Sequence, residues 1–338
     1  KTLESFTGYG MTALPKVRHE RFEDIDQSNE FLPEHVLESA QLEPSQVVSE
    51  YQQIAYPDLV VTKMREASPR ADGYRVPDGS MGLALPVGGS EPVIWCGFEV
   101  PHDVLVAQPA AHDLFTVMPS SGFGVFQIVV DDVLVEEWGL LPRALAAEAD
   151  VDERLLVPLT ERGAAELREW LDSWFDTPER SDALTRDPMS SAEFREGLLQ
   201  RLAVLLRGAE AASRPSVVGR PLERYSLVRQ ALDLIERSLA GLSSTQDLAD
   251  ELEASPRRLQ YAFADVLGTS PHQYLLIRKL HAVRRELRGR CRPETTVSRA
   301  ASRYGFRDLG RFSERYRRFF GELPSETLAQ GCGRAAQK

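Results

Sequence analysis

The sequence predicts an α+β protein of two domains. A β-rich N-terminal domain with appended helices precedes an all-α domain, in which a long helix joins two helix-turn-helix units. Three observations carry this. Short apolar runs broken by Gly and Pro occupy residues 59–130. A helical apolar period takes over after residue 131. A 13-residue string then recurs near the C-terminus. At 338 residues the chain suits two domains of ordinary size rather than one small core.

Taken in order, the first fifty-odd residues are polar, with one helix expected near Pro33–Ala55. The runs Leu59–Met64, Met81–Val87, Val93–Phe98, Asp103–Gln108, Leu114–Met118 and Phe123–Val130 follow. Turn signals such as Asp72-Gly73, Pro77-Asp78-Gly79 and Gly88-Gly89 separate them, as in a β-sandwich or barrel. Leu140–Ala149, Thr160–Trp174 and Ser191–Arg207 have helical spacing, the last placing Phe194, Leu198, Leu199, Leu202, Leu205 and Leu206 on one face. Residues 1–207 therefore form the first domain. Residues 208–224, rich in Ala, Ser, Gly and Pro, form a linker. Amphipathic pieces at Ser226–Ala240, Thr245–Leu252, Pro256–Leu267, Pro271–Arg288, Val297–Tyr304 and Leu309–Phe320 make a compact helical domain over residues 225–330. Residues 331–338 are a tail.

The composition, 42% hydrophobic and 27% charged, is that of a globular protein. No stretch approaches the ~20 apolar residues of a membrane span. Lys1–Met11 lacks a signal-peptide core. A cytoplasmic protein without a membrane partner is expected. Cys96, Cys291 and Cys332 are scattered, with no CxxC pair, and suit reduced thiols. The net charge of −11 is unevenly placed. From Pro221 onward 21 Lys+Arg face 14 Asp+Glu, a net of +7, and the residues before hold 19 against 37, a net of −18. Such asymmetry points to one domain that meets a polyanion.

The repeat is the most specific signal. Leu259-Gln-Tyr-Ala-Phe263-Ala-Asp-Val-Leu267-Gly268-Thr-Ser-Pro271 recurs 53 residues later as Phe312-Ser-Glu-Arg-Tyr316-Arg-Arg-Phe-Phe320-Gly321-Glu-Leu-Pro324. Each copy is a helix closed by Gly, with Pro three residues beyond. Each opens on a capping residue, Ser255 before Pro256 and Asp308 in the second copy. A short helix and a tight connection precede each, through Glu253-Ala254 and Gly305-Phe306-Arg307. The two units span about 245–267 and 297–320. In this layout the second helix can enter the major groove of double-stranded DNA while the first crosses the backbone.

The region from about Tyr225 to Gln330 resembles the DNA-binding domain of AraC/XylS-type bacterial transcription regulators. Two stretches carry the resemblance: Ala300-Ala-Ser-Arg-Tyr-Gly305-Phe306 through Phe320-Gly321-Glu-Leu-Pro324-Ser325, and Asp247-Leu-Ala249 through Leu267-Gly268-Thr-Ser270-Pro271. Tyr274…His281-Ala-Val-Arg-Arg-Glu-Leu287 and Gly305-Phe306…Leu309-Gly310-Arg311-Phe312 look most like the ethanolamine-operon-regulator subgroup. With Leu259, Phe263 and Leu267 facing the core, Arg257, Gln260 and Tyr261 lie toward the groove and match base-reading positions of the family. Arg257 suits guanine and Gln260 adenine. The matching positions of the second helix are Leu309, Gly310, Arg311, Ser313 and Glu314. Gly310 offers no side chain and Glu314 is acidic, so Arg311 is expected to do most of the work there. Arg307, Arg315, Arg317 and Arg318 are phosphate candidates. The family's aromatic–basic ending after Ser325 is replaced by Glu326-Thr327-Leu328.

The resemblance also implies a cupin-like N-terminal domain that binds a small effector or forms a homodimer, and RNA polymerase as a partner if the protein is an activator. Trp95, Phe98, Phe115, Phe123 and Phe126 are candidates to line an effector pocket, against the alternative that they are plain core. The alternative function is a regulator whose N-terminal domain only dimerises or binds a protein. His102 and His112 stand ten residues apart without an HxH pair, so no metal is expected; His19 and His35 suit the surface. There is no GxSxG, HExxH, GxxxxGK[ST] or GxGxxG at a strand–helix junction, so neither an enzyme nor a cofactor is expected. Cys96, in Val93-Ile-Trp-Cys96-Gly-Phe, lacks the cysteine-pair and histidine surroundings of DNA-alkyl repair chemistry and reads as a structural thiol.

Overall fold

The computed structural model describes residues 14–31, 36–44, 48–87, 93–95, 98–110, 113–118, 123–141, 156–209, 222–242, 244–289 and 296–335. Two antiparallel sheets build the first domain. One is ordered β1-β3-β4-β11-β6-β9-β12, from Lys16–Phe22 (β1), Ser49–Ala55 (β3), Leu59–Glu66 (β4), Phe123–Asp131 (β11), Ser80–Pro86 (β6), Val104–Pro109 (β9) and Leu156–Pro158 (β12). The other is ordered β2-β5-β10-β7-β8, from Val36–Gln41 (β2), Arg70–Arg75 (β5), Asp113–Met118 (β10), Val93–Trp95 (β7) and Phe98–Val100 (β8).

Strand alternation gives the larger sheet two buried faces. On one, Val104 and Val106 of β9 and Phe123, Val125 and Val129 of β11 meet Ala71, Tyr74, Trp95 and Val100 of the smaller sheet. On the other, Leu83, Leu85, Phe126, Ile128 and Val130 meet helices Glu161–Phe175 (α3) and Pro188–Ala209 (α5), with Pro178–Arg186 (α4) between them. Lys63 fixes that second face. Its ammonium is buried, 2.6 Å from Asp172 of α3 and 2.7 Å from Asp176, which caps the end of that helix. Helices Ile25–Phe31 (α1) and Asp132–Trp138 (α2) complete the domain.

Several expectations change here. The helix expected near Pro33–Ala55 is instead the strands β2 and β3. Buried Ser49, Tyr51 and Gln53 alternate along β3, and hydrogen bonds from Ser49 and Tyr51 to Glu66, and from Gln53 to Thr62, make their burial tolerable. Val93–Phe98 is two short strands, β7 and β8, which pair with each other. The strands β1, β5 and β12 and the helices α2 and α4 add to the expected set. Most of the Leu140–Ala149 helix and of the linker, as well as Cys96, Cys291 and His112, lie outside the described residues.

Helices Leu222–Ser238 (α6), Thr245–Glu251 (α7), Pro256–Leu267 (α8), Pro271–Gly289 (α9), Val297–Arg303 (α10), Leu309–Phe320 (α11) and Pro324–Ala335 (α12) form the C-terminal domain. The expected bounds of the two repeat helices, α8 and α11, hold as written. Helix α12 runs past residue 330, where the domain was expected to end. Helix α9 is buried on most of its sides: Tyr274, Ile277, Leu280, Val283 and Leu287 are all covered, between the α6–α8 unit and the α10–α12 unit.

Candidate nucleic-acid interface

Each repeat unit is assembled by the same local chemistry. In the first, Ser244 and Asp247 form a reciprocal capping box at the start of α7. In the second, Thr296 caps α10 by accepting from the Arg299 amide. Both short helices end in the same closure: the amide of Ala254 donates to Ala249 O at 2.9 Å, and that of Phe306 to Ala301 O at 3.0 Å. A left-handed residue makes each turn possible, Glu253 (φ 50°) and Gly305 (φ 84°). Ser255 and Asp308 then cap α8 and α11 through the amides of Arg258 and Arg311. Gly268 and Gly321, both left-handed, close them.

These helices are strongly two-sided. In α8, Leu259, Ala262, Phe263, Val266 and Leu267 are buried; in α11, Phe312, Tyr316 and Phe319 are. Phe263 meets Tyr274 of α9 edge-on at 5.9 Å. His281 of α9 packs against the edges of Phe319 and Phe320 at 5.7 and 5.1 Å. Burial, followed by the cationic Arg278, Arg284 and Arg285, holds the His281 imidazole well below its usual range, so it is neutral. Helix α9 thus presents one anchoring aromatic or imidazole to each unit.

The opposite faces are open. Arg257, Gln260 and Tyr261 are exposed together on α8, and Leu309, Gly310, Arg311 and Glu314 on α11, with Ser313 half-buried beside them. Arg307, Arg315, Arg317 and Arg318 are also exposed. Arg257 donates to the Tyr261 hydroxyl at 3.2 Å. Two arginines of the second unit are held by acids of α11 or of its N-terminal cap. Arg318 is 2.8 Å from Glu314, and Arg311 is 3.4 Å from Asp308. The sequence reading passes over Arg258, which the 53-residue offset aligns with Arg311. It is exposed and 3.9 Å from Glu223 of α6.

The proposed effector aromatics are not brought together as a set. Trp95 is buried between the two sheets with Phe123. Phe126 points to the other face, where it packs on Phe175 at 5.7 Å. Strand parity separates it from Phe123, so it is core under the helices. The side chains of Phe98 and Phe115 lie outside the described residues. Among the described residues no group of three or more His, Cys, Asp or Glu could hold a metal ion, and no helix is long and apolar enough to cross a membrane.

Two capped helix pairs share helix α9, and each leaves a polar face open, the layout of a helix-turn-helix domain. Residues 248–330 match the family model of a helix-turn-helix domain. Over 101 residues the chain is 40% identical to the XylDLEGF operon transcriptional activator of Pseudomonas putida, covering 30% of this chain and 32% of that one. It is 32% identical over 162 residues to the probable thc operon regulatory protein of Rhodococcus erythropolis, covering 48% and 47%. It is similar to the solved structure of a probable AraC family transcriptional regulator from Rhodopseudomonas palustris CGA009, at 34% identity over 31% of this chain and 97% of that one, with a TM-score of 0.29. Over this domain the chain is similar to transcription regulators of the AraC/XylS type. The match spans about a third of the length of the XylDLEGF activator.

Proposed function

We propose that this protein is a sequence-specific DNA-binding transcription regulator, an activator, whose α8 and α11 enter successive major-groove segments of one duplex. The observation that carries this is the pairing of two open helix faces across α9, which fixes their spacing. Arg257, Gln260 and Tyr261 would read bases in the first segment. The second unit, with Gly310 bare and Arg311 the main reader, would position more than it specifies, through Arg307, Arg315, Arg317 and Arg318 on phosphates. Binding of the purified chain to its own upstream DNA and to a scrambled duplex, across a salt series, tests this. A specificity ratio that survives salt is expected. Equal binding to both, lost with salt, overturns sequence reading.

We further propose that the N-terminal domain is cupin-like and senses a small molecule between its sheets. Trp95 Nε1 and Gln108 Nε2 are buried there without a hydrogen-bond partner, an arrangement that a polar ligand would relieve. Exposed Val133 of α2 and Met189 and Val204 of α5 favour the second reading, a domain that only pairs with a copy of itself or another protein. A thermal-shift screen separates the two. An effector at 100 times its Kd stabilises by ~2.7 kcal/mol, whereas the partner reading predicts no shift with any metabolite.

A further inference from the structure

Asp24 and Asp26, at the start of α1 in the N-terminal domain, reach across to Arg284 and Arg288, one turn apart on α9. Arg284 donates to both oxygens of Asp24, at 3.1 and 2.8 Å. Arg288 donates to Asp26 at 3.1 Å and also pairs with Asp24. Glu322, the residue after the glycine that closes α11, accepts from Arg284 at 3.1 Å. The Arg284 guanidinium also lies 4.4 Å from the centre of the Phe320 ring. Around this cluster, Ala40 of β2 joins the buried core of the second unit, with Ile277, Leu280 and Phe312.

All five charged side chains are less than one-fifth exposed. Buried guanidinium groups need partners in place, because an unpaired buried charge is costly. With α1 docked, two arginines face three carboxylates; with α1 withdrawn, they share Glu322 alone. The cluster leaves the outer faces of α8 and α11 open, so its effect on the second unit is one of placement and not of cover. The acids belong to one domain, the arginines to the helix between the units, and Glu322 to the second unit.

We propose that Asp24 and Asp26 form an interdomain clamp that fixes the α10–α12 unit against α9, so that displacement of α1 loosens the second unit and leaves the first in place. The clamp stands on this geometry; its consequence for DNA rests on the regulator reading above.

Hydrogen exchange on the full chain tests it without DNA. In an Asp24→Asn/Asp26→Asn variant, amides of residues 309–335 are expected to exchange at least about tenfold faster, with residues 245–267 unchanged. Asp26→Arg and Arg288→Asp should each show the same loss, and their combination should restore protection. If the single charge reversals fail to fold, the neutral double variant decides alone. Unchanged exchange in that variant, or equal acceleration in both units, overturns the clamp. On a duplex that the wild type binds through both units, the neutral variant should lose at least threefold in affinity and keep its affinity for the first-unit segment alone. A wild type that binds no duplex overturns the regulator reading and leaves the exchange result to judge the clamp.

Discussion

Arg257 folds back along its own helix onto Tyr261, its guanidinium 5.5 Å from the ring centre and its Nη2 donating to the phenol oxygen. The pair holds a bidentate donor in place on the exposed side of α8 before any partner arrives. Arg257→Ala is therefore expected to cost ~1–3 kcal/mol on the preferred site and to relax a single base position. Arg317→Ala should instead weaken all sequences alike and flatten the salt slope by about one. Titrations of both variants on specific and scrambled duplexes check this; identical behaviour contradicts the orientation of α8.

Glu314 occupies Arg318 in the free protein. Glu314→Gln should free that guanidinium for phosphate, tightening binding to scrambled DNA and steepening the salt dependence. A salt series on the variant measures it. A reduced affinity for one base step, with non-specific binding unchanged, would show instead that Glu314 reads a base.

The turn between α7 and α8 places Glu253 in the left-handed region, where the second unit has Gly305. A side chain there carries strain that glycine avoids. Glu253→Gly should raise stability by roughly 0.5–1 kcal/mol, and Gly305→Ala should lower it by at least as much. Denaturant midpoints of both variants decide this, and a destabilised Glu253→Gly would mean the side chain contributes more than its backbone costs.

His281 ties stability to pH. Its folded pKa lies well below the usual 6.5, because of burial first and then Arg278, Arg284 and Arg285. The unfolded chain therefore binds the proton first. The stability contributed by neutral His281 is fully present above pH 6.5 and declines as pH falls below it, by about 1.4 kcal/mol per unit until the folded pKa is reached. Asp26 and Glu66, whose pKa values are raised by burial, act with the opposite sign at lower pH. The difference between wild type and His281→Leu isolates the imidazole. That difference should shrink from pH 7 to pH 5.5, and a constant difference contradicts the assignment.

The two repeat helices were legible because punctuation and period agree there: Ser255-Pro256 to Gly268, and Asp308 to Gly321, bracket clean apolar faces. Strand β5 was hidden because Arg70, Asp72 and Gly73 look like a turn. Arg70 is buried only because Glu66, at 2.7 Å, and Asp72, at 2.8 Å, neutralise it, and no local rule anticipates that pairing. The split between Phe123 and Phe126 was readable from strand alternation, once both were assigned to one strand. The contact of Asp24 with Arg284 spans 260 positions, and neither residue carries a local signature of the other.

Selection of bound duplexes from a random-sequence pool tests the central claim most directly. Two units fixed on α9 predict two enriched blocks on one face of the duplex, their centres about one helical turn, ~34 Å, apart. The block read by Arg257, Gln260 and Tyr261 should be the sharper. A single enriched block, or a pool that binds without enrichment, would contradict the account.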